Sequence, residues 1–232
     1  MTADPRLIVP LDLPSTDEAR AMVERLGDAV SFYKVGLELL ASDGMTLAGE
    51  LKAQRKQVFL DWKLHDIGET VRRSTAVLAG AGCDLLTVHA TPQVMKAAVA
   101  GRGQSGLKIL AVTVLTSLSE ADLVEMGYRE SARDLVAKRI RQAVEAGVDG
   151  VVASPLEAAL AREIAGPDFL VVTPGVRPAW SAKNDQARAA TPADALANGA
   201  SHLVCGRPIT AANDPREAAL KVVAEMAGLQ LA

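Results

Sequence analysis

The chain has 232 residues, 49% of them hydrophobic and 23% charged, with a formal net charge of -3. That is ordinary globular material with enough apolar residues for a sizeable core, and it offers no basic footprint for nucleic acid or an anionic membrane. Aromatic residues make up only 3%, too few for a base-stacking module. The two cysteines, Cys83 and Cys205, form neither a disulfide framework nor a CxxC pair; both sit in apolar runs, as small core residues do. Residues 1–10 lack the charged and apolar regions of a signal peptide, and the apolar runs fall well short of the ~20 residues that a bilayer requires. A soluble cytoplasmic protein is expected.

Short runs rich in Val, Ile and Leu alternate with longer amphipathic stretches along the chain. Strand-like runs fall at 7–13, 31–35, 57–63, 84–89, 107–113, 149–153, 169–173 and 202–205. Helical periodicity lies between them, for example at 16–26, 133–146, 155–165 and 216–226. Ser15 is placed to cap the first of these helices, and Pro155 to open another. The strand-like runs are continuously apolar, as in strands buried on both faces, and their strict alternation with helices implies parallel strands joined by crossovers. Eight such units in a chain near ~250 residues point to a (β/α)8 TIM barrel, with residues 1–232 as a single domain. An open flavodoxin-like sheet with added elements is the rival arrangement.

In a barrel the active site lies where the strands end and the βα loops converge. The polar residues at those ends are Asp12, Lys34, Asp61 with Lys63, His89, Thr116, Ser154, Arg177 and Arg207. Asp61 and Lys63 are two apart on one strand, so alternation places them on the same face, with Trp62 turned outward between them. Charges at the end of a buried strand are costly unless paired. A lysine flanked by Asp61 and Asp66 stays protonated and works as a positioned acid rather than a nucleophilic amine. An isolated Asp-x-Lys is equally an ion pair closing a barrel end; Asp12, Lys34 and Asp66 at the same rim argue for more than that.

A second constellation is suited to an anion. Pro174-Gly175-Val176-Arg177 follows the seventh strand-like run and Gly206-Arg207-Pro208 the eighth. Loops at these positions often form a phosphate site from backbone amides and forked arginine donors. The polar segment 177–191 reads as a lid over it. Gly101-Arg102-Gly103-Gln104-Ser105-Gly106 matches GxGxxG by letter, but it follows a helix and precedes a strand, the reverse of the dinucleotide fingerprint. His65, His89 and His202 show no metal-ligand spacing.

These residues resemble the orotidine 5'-phosphate decarboxylase family. The likeness rests on Asp61-Trp62-Lys63-Leu64-His65-Asp66-Ile67-Gly68-Glu69-Thr70, which fits the family's DxKxxDI pattern, and runs from about residue 7 to residue 215. Leu11-Asp12, Lys34-Val35-Gly36, Val114-Leu115-Thr116-Ser117, Thr173 to Pro178 and Gly206 to Ile209 match around it, with Gln186 in the lid. Family members commonly have Pro-Asn where this chain has Gly68-Glu69. The resemblance implies a homodimeric barrel whose substrate is a pyrimidine nucleotide; with no pyridoxal, thiamine or metal motif in the sequence a cofactor-free reaction is expected, and the charge balance points to no nucleic-acid or membrane partner. It makes Lys63 the proton donor and sets Asp61 beside the leaving carboxylate. Asp66 and Thr70 would come from the partner subunit. Asp12 and Lys34 would bind ribose hydroxyls, Thr116 the pyrimidine, and Gln186, Gly206, Arg207 and Arg177 the phosphate.

Three rivals remain at this point. Magnesium-dependent sugar-phosphate decarboxylases and synthases share DxKxxD but carry a metal-binding acid at the place of Lys34, where an ammonium repels a divalent ion. A Schiff-base aldolase needs a lysine of lowered pKa, and acidic neighbours do the reverse. A non-catalytic phosphate sensor would need Arg177 and Arg207 but not Asp61, Lys63 and Asp66 together.

Overall fold

The computed structural model describes residues 3–181 and 190–229. Gln186 and most of the expected lid lie outside the described residues. In chain order the elements are β1 Leu7–Pro10, α1 Thr16–Leu26, β2 Phe32–Gly36, α2 Leu37–Leu40, α3 Gly44–Ala53, β3 Gln57–Leu64, α4 Gly68–Gly80, β4 Leu85–His89, α5 Pro92–Arg102 and β5 Lys108–Val112. Then come α6 Glu120–Glu125, α7 Ala132–Ala146, β6 Gly150–Val152, α8 Ala158–Ala165, β7 Leu170–Thr173, α9 Pro192–Ala197, β8 His202–Val204, α10 Arg207–Thr210 and α11 Pro215–Met226. Each strand pairs in parallel with the next, and β8 pairs back onto β1 through Leu7↔Leu203 and Ile8↔Val204, so the sheet closes into a barrel. That closing pair excludes the open-sheet rival.

Alternation along each strand divides the apolar residues into two layers. Ile8, Phe32, Phe59, Leu85, Leu110 and Val172 turn inward and fill the barrel, with Val152, Leu170 and Val204 packed against them. Their neighbours, among them Val9, Tyr33, Val58, Leu60, Leu86, Ile109, Val151 and Leu203, turn outward and pack under the helices. Both faces are therefore buried, which is why the strands lack a polar alternation. Trp62 belongs to the outer layer, as expected, although its indole Nε1 finds no hydrogen-bond partner among the described residues.

Local sequence sets the helix ends. The Ser15 hydroxyl accepts from the Glu18 amide at 3.2 Å and caps α1. Ser119 and Asp122 exchange the two bonds of a capping box at α6. One expectation fails: α8 opens at Ala158 rather than at Pro155. Residues 155–157 form a turn instead, held by Glu157 N–H to Ser154 O at 3.0 Å and by Ser154 N–H to Glu157 Oε2 at 3.0 Å. The GxGxxG letters join α5 to β5, with Gly103 at φ 56 ending the helix, so they are a connecting loop. Among the described residues no helix is long and apolar enough to cross a membrane.

Candidate active site

The C-terminal rim brings charges of alternating sign into one line. Asp12, two residues beyond β1, contacts Lys34 on β2, Oδ1 to Nζ at 2.8 Å. Lys34 Nζ also lies 3.3 Å from Asp61 Oδ2, and Asp61 Oδ1 is 2.9 Å from Lys63 Nζ. Side-chain exposure is 49% at Asp12, 10% at Lys34, 14% at Asp61 and 27% at Lys63, so the two central charges are the most desolvated. Such burial is tolerable because each central charge faces two opposite ones. At Asp61 burial alone pushes the carboxyl pKa up. The nearby ammoniums of Lys34 and Lys63 and hydrogen bonds from Lys63 and Thr87 outweigh that and leave it below the ordinary carboxylate value.

Simple strand alternation is not what brings Asp61 and Lys63 together. Lys63 sits at φ 49, a left-handed conformation uncommon for a lysine, and β3 shifts register against β4 between Leu60 and Leu64. The ammonium returns to Asp61 from this bulge. Thr87 on β4, fully buried, accepts from the Lys63 amide at 3.0 Å and donates to Asp61 Oδ1 at 2.9 Å. In the sequence Thr87 is marked only by a hydroxyl at an inward position among the apolar residues before His89.

Lys34, Asp61 and Lys63 form one wall of a cavity of about 200 Å³. Val112, Val114, Val152, Ala153, Pro174 and Val204 supply an apolar wall, and Leu115 and Thr116 border it. The loop carrying Thr116 is held from behind. Arg139 on α7 donates through Nη1 to the Thr113 carbonyl and through Nη2 to Tyr128 Oη, the latter at 2.8 Å. A pocket with ammoniums on one side and hydrocarbon on the other suits a flat polar ring carrying a negative charge at one edge.

Asp66 and Thr70 are placed elsewhere. They border a second depression of about 310 Å³ with His65 and Ser74, and only Lys63 is shared between the two. Asp66 is exposed, and its Oδ1 accepts from the Ile67 amide at 2.6 Å. The His65 and His89 rings lie 5.1 Å apart, and His89 has its pKa lowered by burial first, then by its neighbours His65, Lys63 and Arg139.

The expected phosphate residues also separate. Gly206 precedes α10, where a Cβ would come 3.0 Å from Pro10 Cγ, and Arg207 is exposed at the start of that helix. Arg177 is 8% exposed; its Nη1 donates to the Val176 carbonyl at 3.1 Å and its Nε has no partner among the described residues. It borders a third depression with Ala190, Thr191 and Asp194, apart from the rim cavity. The Arg177 amide bonds to the Ala190 carbonyl at 2.9 Å, pinning residues on either side of the 182–189 segment.

Comparison with known proteins agrees with this architecture. Residues 5–222 match the family model described as orotidine 5'-phosphate decarboxylase / HUMPS family. The chain belongs to that family. It is 82% identical over 229 residues to the orotidine 5'-phosphate decarboxylase of Caulobacter sp. (strain K31), covering 99% of this chain and 100% of that one. The enzyme of the same name from Caulobacter vibrioides (strain NA1000 / CB15N) is 78% identical over 233 residues, again covering 99% and 100%. Among solved structures, orotidine 5'-phosphate decarboxylase from Lactobacillus acidophilus superposes with a TM-score of 0.83 at 39% identity, covering 96% of this chain and 99% of that one. Family membership thus extends over nearly the whole barrel, including every strand that contributes to the rim.

Proposed function

We propose that the chain decarboxylates orotidine 5'-monophosphate to uridine 5'-monophosphate without a cofactor, as a cytoplasmic homodimer. The observation that carries the reading is the Asp12–Lys34–Asp61–Lys63 line facing the apolar-walled cavity. The names of the high-identity relatives support it independently.

Loss of carbon dioxide from C6 of the pyrimidine breaks the C6–carboxylate bond and leaves its electron pair in the ring plane. No ring carbonyl delocalises that pair directly. Stabilisation must then come from fixed charge aimed at the carbon. In this reading the Lys63 ammonium faces C6, stabilises the developing carbanion and then transfers its proton there, to be re-protonated from solvent. Asp61, held ionised, crowds the departing carboxylate and favours its escape into the apolar side of the cavity. Asp12 and Lys34 hold the ribose hydroxyls, and Thr116 holds the pyrimidine. Gly206, Arg207 and Gln186 bind the phosphate, with Arg177 acting from the root of the loop. Binding the phosphate, remote from the reacting carbon, offsets the strain at C6. Asp66 and Thr70 serve the partner's cavity.

The test is to mix the protein with orotidine 5'-monophosphate and follow the loss of its ultraviolet absorbance. Wild type consumes the substrate, and Lys63→Ala loses at least ~10³-fold in turnover while still binding nucleotide. A substantially active Lys63→Ala enzyme defeats the assignment.

A further inference from the structure

We propose that Thr87 is a positioning residue, its one hydroxyl fixing Lys63 and Asp61 relative to each other. The inference rests on the decarboxylase reading. A buried hydroxyl is costly unless bonded, and here both of its bonds go to the reacting pair: Oγ1 accepts from the Lys63 main-chain N–H at 3.0 Å and donates to Asp61 Oδ1 at 2.9 Å. Among the described residues the hydroxyls of Ser154 and Thr173, also buried near the strand ends, have no partner at all.

The need for such a group arises from β3. Leu60 pairs with Leu86 and Leu64 with Val88, so four steps on β3 are matched by two on β4. The extra residues take Lys63 out of the regular ladder and into the left-handed region at φ 49. A lysine there is held by its surroundings rather than by its own preference. Thr87 supplies the acceptor that its amide lacks in a displaced strand. The same hydroxyl acts on the carboxylate. Asp61 Oδ2 faces Lys34 Nζ from β2, while Oδ1 is shared between Lys63 Nζ and Thr87 Oγ1 from β4. Donors on three strands therefore fix its rotation. Without Thr87 the carboxylate keeps its two cations but loses its neutral anchor, and the Lys63 backbone loses its restraint at the same moment.

Thr87→Val tests this, because it keeps the branched shape and removes only the hydroxyl. Hydrogen bonds to charged groups and their geometry are worth enough to lower kcat ~10- to 100-fold. KM and the affinity for uridine 5'-monophosphate stay within ~3-fold, since Thr87 touches neither the proposed ribose nor phosphate contacts. Thr87→Ser, which restores the hydroxyl, recovers kcat to within ~3-fold of wild type. A residue that merely supports the fold would instead lower the folded fraction and leave kcat per folded site unchanged. Should the valine variant not fold, Thr87→Ala against Thr87→Ser gives the same comparison. The inference is overturned if the hydroxyl-free variant keeps kcat within ~2-fold of wild type, or if serine is as impaired as valine. Wild-type protein that fails to turn over orotidine 5'-monophosphate defeats the functional reading and this inference with it. Active wild type with an unaltered valine variant defeats this inference alone.

Discussion

Gly36 shows how tightly single atoms are specified at the rim. A Cβ at this position would lie 2.7 Å from Asp12 Oδ1 and 3.0 Å from Lys34 Nζ, inside normal contact with both members of an ion pair. Both contacted atoms are ends of flexible side chains, so Gly36→Ala is accommodated without unfolding the strand. The two side chains do not yield equally. Lys34 is 10% exposed and is also held by Asp61, whereas Asp12 is 49% exposed and has no comparable second anchor in the line. Asp12 therefore moves first. Because Asp12 is assigned to the ribose and not to the reacting carbon, Gly36→Ala should raise KM about 10-fold with kcat nearly unchanged. Steady-state kinetics beside a thermal melt check this. A fall in kcat at constant KM would show that the outer half of the charge line bears on the chemistry itself.

At the scale of elements, α4 matters because Asp66 and Thr70 sit at its start, and its position depends on α5. The two helices approach closely at Gly101, where a Cβ would lie 2.3 Å from the Arg72 carbonyl oxygen and 2.9 Å from Thr75 Cβ. Backbone cannot rotate away as a side chain does, so Gly101→Ala must push the helices apart. Overpacking of this kind costs about 1–3 kcal/mol, read as a lower urea midpoint, and the displaced α4 should lower activity per folded molecule as well. The elements themselves were largely legible in the sequence. Apolar runs of strand length between helical periods give all the strands, and Ser15 marks the α1 start, because these signals are local. The charge line was legible for the same reason: strand ends are recognisable and Asp12, Lys34, Asp61 and Lys63 occupy them. What escaped depends on neighbours distant in sequence. The left-handed Lys63 and the role of Thr87 arise from how β3 and β4 pair. The late start of α8 follows from Glu157 folding back on Ser154. The burial of Arg177 is likewise invisible locally: its charge lies near Cys205, just beyond β8, where burial first of all pushes the thiol up to about 12 and the Arg177 charge partly opposes it.

At the scale of the whole molecule, one barrel holds the expected residues in separate depressions rather than in one site. Lys63 borders both the rim cavity and the depression that contains Asp66 and Thr70, yet Asp66 is exposed and among the described residues bonds only to its own neighbouring amide. Ile67 beside it is 69% exposed and Val77 on α4 is 74% exposed, apolar area suited to cover by another protein surface. If Asp66 completes the partner's cavity, a two-fold dimer contains two sites, each with Lys63 from one subunit and Asp66 from the other. Lys63→Ala and Asp66→Asn homodimers should then each be nearly inactive, because every site carries one defect. Dissociating and reassociating the two variants together has a different consequence. In the mixed dimer one site collects both defects, and the other receives an intact Lys63 from the Asp66→Asn chain and an intact Asp66 from the Lys63→Ala chain. Random pairing at equal amounts makes half of the dimers mixed, so about a quarter of all sites, and about a quarter of wild-type turnover, should return. If Asp66 acted within its own chain, every chain would carry one defect in its own site, and mixing would restore nothing.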